Sequence, residues 1–246
     1  EIINFPAVYD MLATMKAKLD AGRSLLYMTA RYVDIYKALE DIARERKLTP
    51  EERQECKKFS KLADAFTPLA KGMNSEFANQ NSYDCIQVHG GSGFMMEYKC
   101  QQLYRDARIT SIYEGTTQLQ TVAAIRYVTN GTYMSVIRDY EAIPVAEEYE
   151  GYMNRIKEMA SKLEAVTNAV KDANDQELLD FCARKLYEMT AYTIMCHLIL
   201  QDTQKAPEMF AASLNVFVNH AESEVEKHFN YIRKMDASQL ANYRKA

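Results

Sequence analysis

The chain has 246 residues and a formal net charge of −4, from 34 acidic and 30 basic side chains that are interspersed along it. Such a balance excludes the basic stripe of a nucleic-acid or anionic-membrane binder, and no apolar run approaches the ~20 residues of a membrane span. With no basic-then-apolar leader, a cytoplasmic protein without nucleic-acid or membrane partners is expected.

Hydrophobic residues make up 48% of the chain, enough for one large or two modest domains. Only 8 Gly and 5 Pro punctuate it and Trp is absent, which favours helices over sheets. Five cysteines at 56, 85, 100, 182 and 196 form no CxxC pair, and their odd number fits reduced core thiols better than a disulfide framework. The chain begins Glu1-Ile2-Ile3-Asn4 without Met, so a piece excised from a longer protein is expected.

Val8, Leu12, Met15, Leu19 and Leu26 recur at helical spacing and predict a long first helix, running to about Leu39 and burying that stripe. Thr49-Pro50-Glu51-Glu52 supplies a cap, a first-turn proline and a capping box for a second long helix to about Val88. Three glycines in His89-Gly90-Gly91-Ser92-Gly93 then predict a tight, backbone-exposed loop. A short helix from Tyr98 to Arg105, a loop at Thr110–Gly115 and a helix from Thr116 to Asn130-Gly131 follow. Beyond Pro144, Met153, Ile156, Met159, Leu163, Val166 and Val170 form another stripe. Asn174-Asp175 reads as a turn before helices over Gln176–Thr203 and Pro207–Met235. The expected fold is all-α, an antiparallel helical bundle over residues 1–143 followed by a second helical domain over 144–246.

Two segments carry the chemistry: Gln87-Val88-His89-Gly90-Gly91-Ser92-Gly93-Phe94, and Arg105-Asp106-Ala107-Arg108 running through Tyr113-Glu114-Gly115-Thr116-Thr117-Gln118. Together, over roughly Asn4 to Tyr127, they resemble the C-terminal helical region of the acyl-CoA dehydrogenase family. The resemblance implies FAD-dependent formation of an α,β-double bond in an acyl-CoA thioester, in fatty-acid metabolism, with Glu114 as the base that removes the α-proton. A carboxylate in a dry pocket becomes a stronger base, and the Glu114 N–H would stabilise the enolate-like thioester oxygen. Tyr113 and Gly115 would flank the substrate.

By the same resemblance Thr116 and Gln118, at a helix start that favours phosphate, would contact FAD. Gln87, His89, Gly90 and Gly91 would approach its nucleotide half, often that of a neighbouring subunit. An apolar residue is usual in the family where His89 stands. Arg105, Asp106 and Arg108 read as charges that pair to orient the two loops. Electron-transfer flavoprotein as electron acceptor and a homo-oligomeric parent are implied, with the helix face of Leu12 and Leu19 near an interface.

Two competing constellations are set aside. His220, Glu224 and His228 at i, i+4 and i+8 could face one metal, but a solvated polar face is preferred and no metal is expected. HGGSG is similar to an esterase oxyanion loop, yet no G-x-S-x-G elbow accompanies it. Against the family pattern, this chain lacks the two upstream domains and an opening helix whose arginine contacts FAD. Residues beyond Pro144 resemble the extra C-terminal helical domain of longer members, such as those acting on methylthiopropionyl-CoA, and an insertion at Arg44–Glu55 fits that group. The isolated piece is therefore expected to be inactive and to retain no FAD. The alternative is a non-catalytic helical interaction module that kept the motifs.

Overall fold

The computed structural model describes residues 1–235 and Ser238, and among these no strand occurs. Two antiparallel helices of 40 residues each, α1 (Pro6–Glu45) and α2 (Pro50–His89), form the frame. The turn between them is set locally. Thr49 Oγ1 accepts from the Glu52 amide at 3.2 Å and Glu52 accepts from the Thr49 amide at 2.9 Å, a complete capping box. Arg46 bonds both oxygens of Glu52, and this pairing holds its carboxyl at about 2.

A single turn, α3 (Gly91–Phe94), leads to α4 (Cys100–Thr110), α5 (Thr117–Thr129) and α6 (Thr132–Glu141). The helical turn at Gly91–Phe94 stands where the three glycines predicted a loop, and α6 is a further helix beyond the end expected at Asn130-Gly131. α7 (Glu150–Asp172), α8 (Gln176–Lys205) and α9 (Pro207–Lys234) complete the chain. Asn174 at φ 48° ends α7, and Asp175 caps α8 by accepting from the amides of Glu177 and Leu178.

Every residue from Met189 to Leu200 of α8 is buried, as expected of a helix enclosed on all sides. It packs against α1, α2, α5, α6, α7 and α9, and those helices share one cluster of buried apolar side chains with it. Tyr187 is fully buried and donates to the carbonyls of Pro68 (3.0 Å) and Leu69 (3.3 Å) on α2.

α1 buries a different face from the one its spacing predicted. Ala17, Ala21, Leu25 and Tyr32 point inward, whereas Leu19 and Leu26 stay 44% and 49% exposed. Small residues win because α1 approaches α2, α8 and α9 closely, and polar pairs lock it there. Ser213 donates to Asp20 and Ser24 to Asp202, each at 2.6 Å, and Asn74 donates to the Gly22 carbonyl.

The face of α9 with His220, Glu224 and His228 is likewise not solvated. His220 packs its ring on Tyr192, and the buried His228 places Nε2 at 2.7 Å from Glu188 of α8. Burial pushes the Glu188 carboxyl up, but His228 and Arg184 outweigh it and hold the group below the usual carboxylate range. The polar pattern on α9 exists to meet a polar stretch of α8.

Candidate active site

α4 ends at Thr110, and the link to α5 is tight. Ser111 accepts from the Thr117 amide at 3.1 Å, so the chain reverses over Ile112–Thr116. Closing so short a link forces Glu114 to φ 48° and Gly115 to φ 93°. For a non-glycine residue the left-handed region costs on the order of 1–2 kcal/mol, and the surroundings hold it in place. Lys71 of α2 donates to the Gly115 carbonyl at 2.5 Å, with its ammonium 6.0 Å from the Tyr113 ring centroid. Gln120 of α5 donates to the carbonyls of Glu114 (3.4 Å) and Gly115 (3.3 Å).

A third tie comes from Thr117, whose hydroxyl donates to Glu76 of α2 at 2.6 Å; Arg184 of α8 stands 3.8 Å from the same carboxylate. The central helix thus braces the loop through Glu76.

The Glu114 side chain is exposed and borders a cleft of about 310 Å³, lined also by Lys71, Asn74, Ser75, Thr110 and Tyr113. Among the described residues its amide N–H has no intramolecular hydrogen-bond partner. One carboxylate, one free N–H and one lysine therefore surround a space large enough for an acyl thioester. Lys71, Asn74 and Ser75 escaped the sequence reading. Their signal is that α2 residues at helical spacing share the face turned to the loop, which motif matching does not reveal.

At the start of α5, Thr116 Oγ1 accepts from the Leu119 amide at 3.2 Å, leaving the hydroxyl proton to donate. The neighbouring Gln118 is exposed and its amide has no partner among the described residues. Thr116 and Gln118 therefore adjoin the Glu114 loop and offer donors.

Gln87, His89, Gly90 and Gly91 stand elsewhere. Lys71 and Gln87 are sixteen residues apart on one continuous helix, about 24 Å along its axis. These four residues are exposed at the C-terminal end of α2. Gly90 adopts φ 60°, ψ −145°, and a Cβ at Gly90 or Gly91 would meet nothing within 4 Å. The backbone there is open to a ligand's close approach. Gly93 does different work: its Cβ would lie 2.6 Å from the Ile86 carbonyl, so its absence lets α3 fold back onto α2.

The charges of the Arg105–Arg108 segment do not pair with one another. Arg108 bonds Ser111, and the contact that joins this stretch to α2 is Asn79 donating to the Ala107 carbonyl at 3.2 Å. Exposure of Arg105 and Asp106 explains this, since isolated surface pairs gain little in water. Arg108 instead lines a second groove of about 450 Å³ between α1, α2 and α4. There burial lowers the pKa of Lys18, whose ammonium donates to Gln80 at 2.8 Å. Among the described residues no helix is long and apolar enough to cross a membrane.

Comparison with known proteins agrees with this architecture. The family model for the acyl-CoA dehydrogenase C-terminal domain matches residues 1–128, and a second, described as acyl-CoA dehydrogenase C terminal, matches residues 129–240. The caffeyl-CoA reductase-Etf complex subunit CarC of Acetobacterium woodii is 33% identical over 119 residues, 48% of this chain and 25% of that protein. The 3-methylmercaptopropionyl-CoA dehydrogenase of Ruegeria pomeroyi is 37% identical over 119 residues, 48% of this chain and 18% of that protein. The chain thus spans a quarter or less of these relatives' length. In fold it is similar to the FAD-complexed acyl-CoA dehydrogenase of Bacillus anthracis, with a TM-score of 0.71 at 21% identity over 94% of this chain and 42% of that one. The matches cover both halves of the sequence and the helical fold alike, and the chain belongs to the acyl-CoA dehydrogenase family.

Proposed function

We propose that this chain supplies the base and part of the FAD site of an acyl-CoA dehydrogenase that forms an α,β-double bond in an acyl-CoA thioester. The observation that carries the reading is Glu114. It is held in a left-handed conformation by Lys71 and Gln120, with its carboxylate on a cleft and its N–H free. In this reading the Glu114 carboxylate takes the α-proton. Its N–H donates to the thioester oxygen, where negative charge develops as that proton leaves. Bound FAD supplies the acceptor for the hydride departing from the β-carbon, which balances the two-electron oxidation.

The same reading assigns residues to the cofactor. Thr116 and Gln118 would donate to one part of it beside the base. Gln87, His89, Gly90 and Gly91, about 24 Å away along α2, would meet the nucleotide of an FAD held by a neighbouring copy in a homo-oligomer. Tyr113 and Gly115 would border the acyl chain. Electron-transfer flavoprotein would reoxidise the parent enzyme. Leu19 and Leu26 on α1, and Phe94, Leu119 and Val122 beside the motifs, are all more than 40% exposed and would be covered by the rest of the assembly. Without that cover the cleft admits water, so the isolated chain would be inactive and would not retain FAD.

The test is Glu114→Gln in the full-length parent, mixed anaerobically with acyl-CoAs of several chain lengths. Flavin should remain bound while its bleaching slows by at least ~100-fold, the scale of a lost general base. Bleaching at the parental rate would eliminate Glu114 as the base. A parent that holds no flavin would favour the interaction-module reading.

A further inference from the structure

We propose that Cys85, His89 and Cys100 form a binding site for a thiophilic divalent cation, Zn²⁺, that clips the start of α4 to the end of α2. Cys85 and His89 lie one turn apart on the last turns of α2, and Cys100 is the first residue of α4. Fourteen residues lie between the two cysteines, so no CxxC-type spacing announces the cluster. In space one ligand atom from each residue lies within 4.8 Å of the others, and Cys85 Sγ stands 4.0 Å from His89 Nδ1.

A tetrahedral Zn²⁺ with bonds of about 2.3 Å to sulfur and 2.0–2.1 Å to nitrogen sets its ligands roughly 3.6–3.8 Å apart. The three groups therefore need to close by about 1 Å at most, within reach of side-chain rotation. Two thiolates and an imidazole are a donor set suited to Zn²⁺ and poorly suited to Mg²⁺ or Ca²⁺.

The surroundings fit a clip. Gly93 lets α3 pack on the Ile86 carbonyl and the His89 Cβ, and the Tyr98 ring meets the imidazole edge-on at 6.1 Å. His89 is exposed while Cys100 is buried, so the ion enters from the imidazole side and water completes its shell. His89 Nδ1 donates to the Cys85 carbonyl at 2.8 Å. On binding, that hydrogen bond gives way to a nitrogen–metal bond and the ring proton moves to Nε2. Each cysteine loses its S–H proton to solvent, two per ion.

The other cysteines lack such company. Cys182 and Cys196 are enclosed in the core, and among the described residues Cys56 bonds the Tyr36 carbonyl and no metal-ligating side chain. They serve as internal controls. The inference does not depend on the role of Glu114.

The test is an anaerobic titration of the reduced 246-residue chain with Co²⁺, followed by Zn²⁺. Expected are a thiolate-to-cobalt charge-transfer band and tetrahedral ligand-field bands saturating at one equivalent. Zn²⁺ should abolish them with release of about two protons per ion. Cys85→Ser, Cys100→Ser and His89→Ala should weaken binding at least 10-fold with unchanged helical circular dichroism, while Cys56→Ser binds as the parent chain does. Should a variant not fold, protection mapping in the wild-type chain decides: Zn²⁺ should shield Cys85, and not Cys56, from alkylation. A spectrum without thiolate charge transfer, a band that survives both serine variants, or alkylation of Cys85 unaffected by Zn²⁺ overturns the proposal.

Discussion

Replacing Gly72 with Ala should destabilise the protein, although alanine is the better helix former. Gly72 lies on the buried face of α2, and a Cβ there would stand 2.1 Å from the Tyr187 hydroxyl oxygen and 3.1 Å from Cζ. Tyr187 is fully buried and its hydroxyl bonds the Pro68 and Leu69 carbonyls, so the ring must retreat by about 1 Å into packed surroundings. Overpacking of this kind costs about 1–3 kcal/mol, and the lost hydrogen bond adds about 1 kcal/mol. The helix-propensity gain returns about 1 kcal/mol, leaving a net loss of roughly 2 kcal/mol. Urea denaturation of wild type, Gly72→Ala, Tyr187→Phe and the double variant reads the effect as a double-mutant cycle. Removing the hydroxyl deletes the colliding atom, so the double variant should be less destabilised than the sum of the singles. A neutral or stabilising Gly72→Ala, or strict additivity, would refute the reasoning.

Further outcomes follow from other contacts. Burial, with Lys157 adding to it, lowers the His197 pKa to about 4, and among the described residues neither ring nitrogen has a hydrogen-bond partner. The folded state therefore resists protonation that the unfolded chain accepts near 6.5. Stability contributed by this group is complete above pH 6.5 and declines by up to about 3 kcal/mol as pH falls toward 4. His197→Met should flatten that part of a stability-versus-pH curve, and an unchanged slope would exclude His197 as its source. Lys71→Met removes the donor to the Gly115 carbonyl, a bond to a charged group worth about 1.5–3 kcal/mol. Amide exchange of Thr117, whose N–H donates to the Ser111 carbonyl, should accelerate while that of α8 does not. Thr49→Ala should cost about 1 kcal/mol through loss of the α2 cap, seen as a lower urea midpoint at constant slope.

Helix order and most boundaries were legible because the punctuation is strong. The Thr49–Glu52 capping box, Asn174-Asp175 and Pro207 each stop or start a helix by local chemistry alone. The buried face of α1 was not, since Leu19 and Leu26 have the right spacing while the close approach of α8 and α9 selects Ala17, Ala21 and Ser24. The polar stripe of α9 misled for a similar reason, because Glu188 lies on another helix. Within the candidate site, the position of Glu114 beside Thr116 follows from sequence adjacency. Lys71, Gln120 and Glu76, which hold the loop, come from neighbouring helices and become visible only when the helices are packed.

The enclosed position of α8 bears on how the chain is made. Asp20 and Ser24 bond residues 193 and 178 positions further on, and the tyrosine that seats the Lys71 segment of α2 is residue 187. When residues 1–143 have left the ribosome, the faces of α1, α2 and α5 that later meet α8 still lack that cover, and Glu76 still lacks Arg184. Synthesis at ~5–20 residues per second leaves that surface bare for several seconds or more. An expression product ending near Pro144 should therefore accumulate as aggregate rather than as an autonomous bundle.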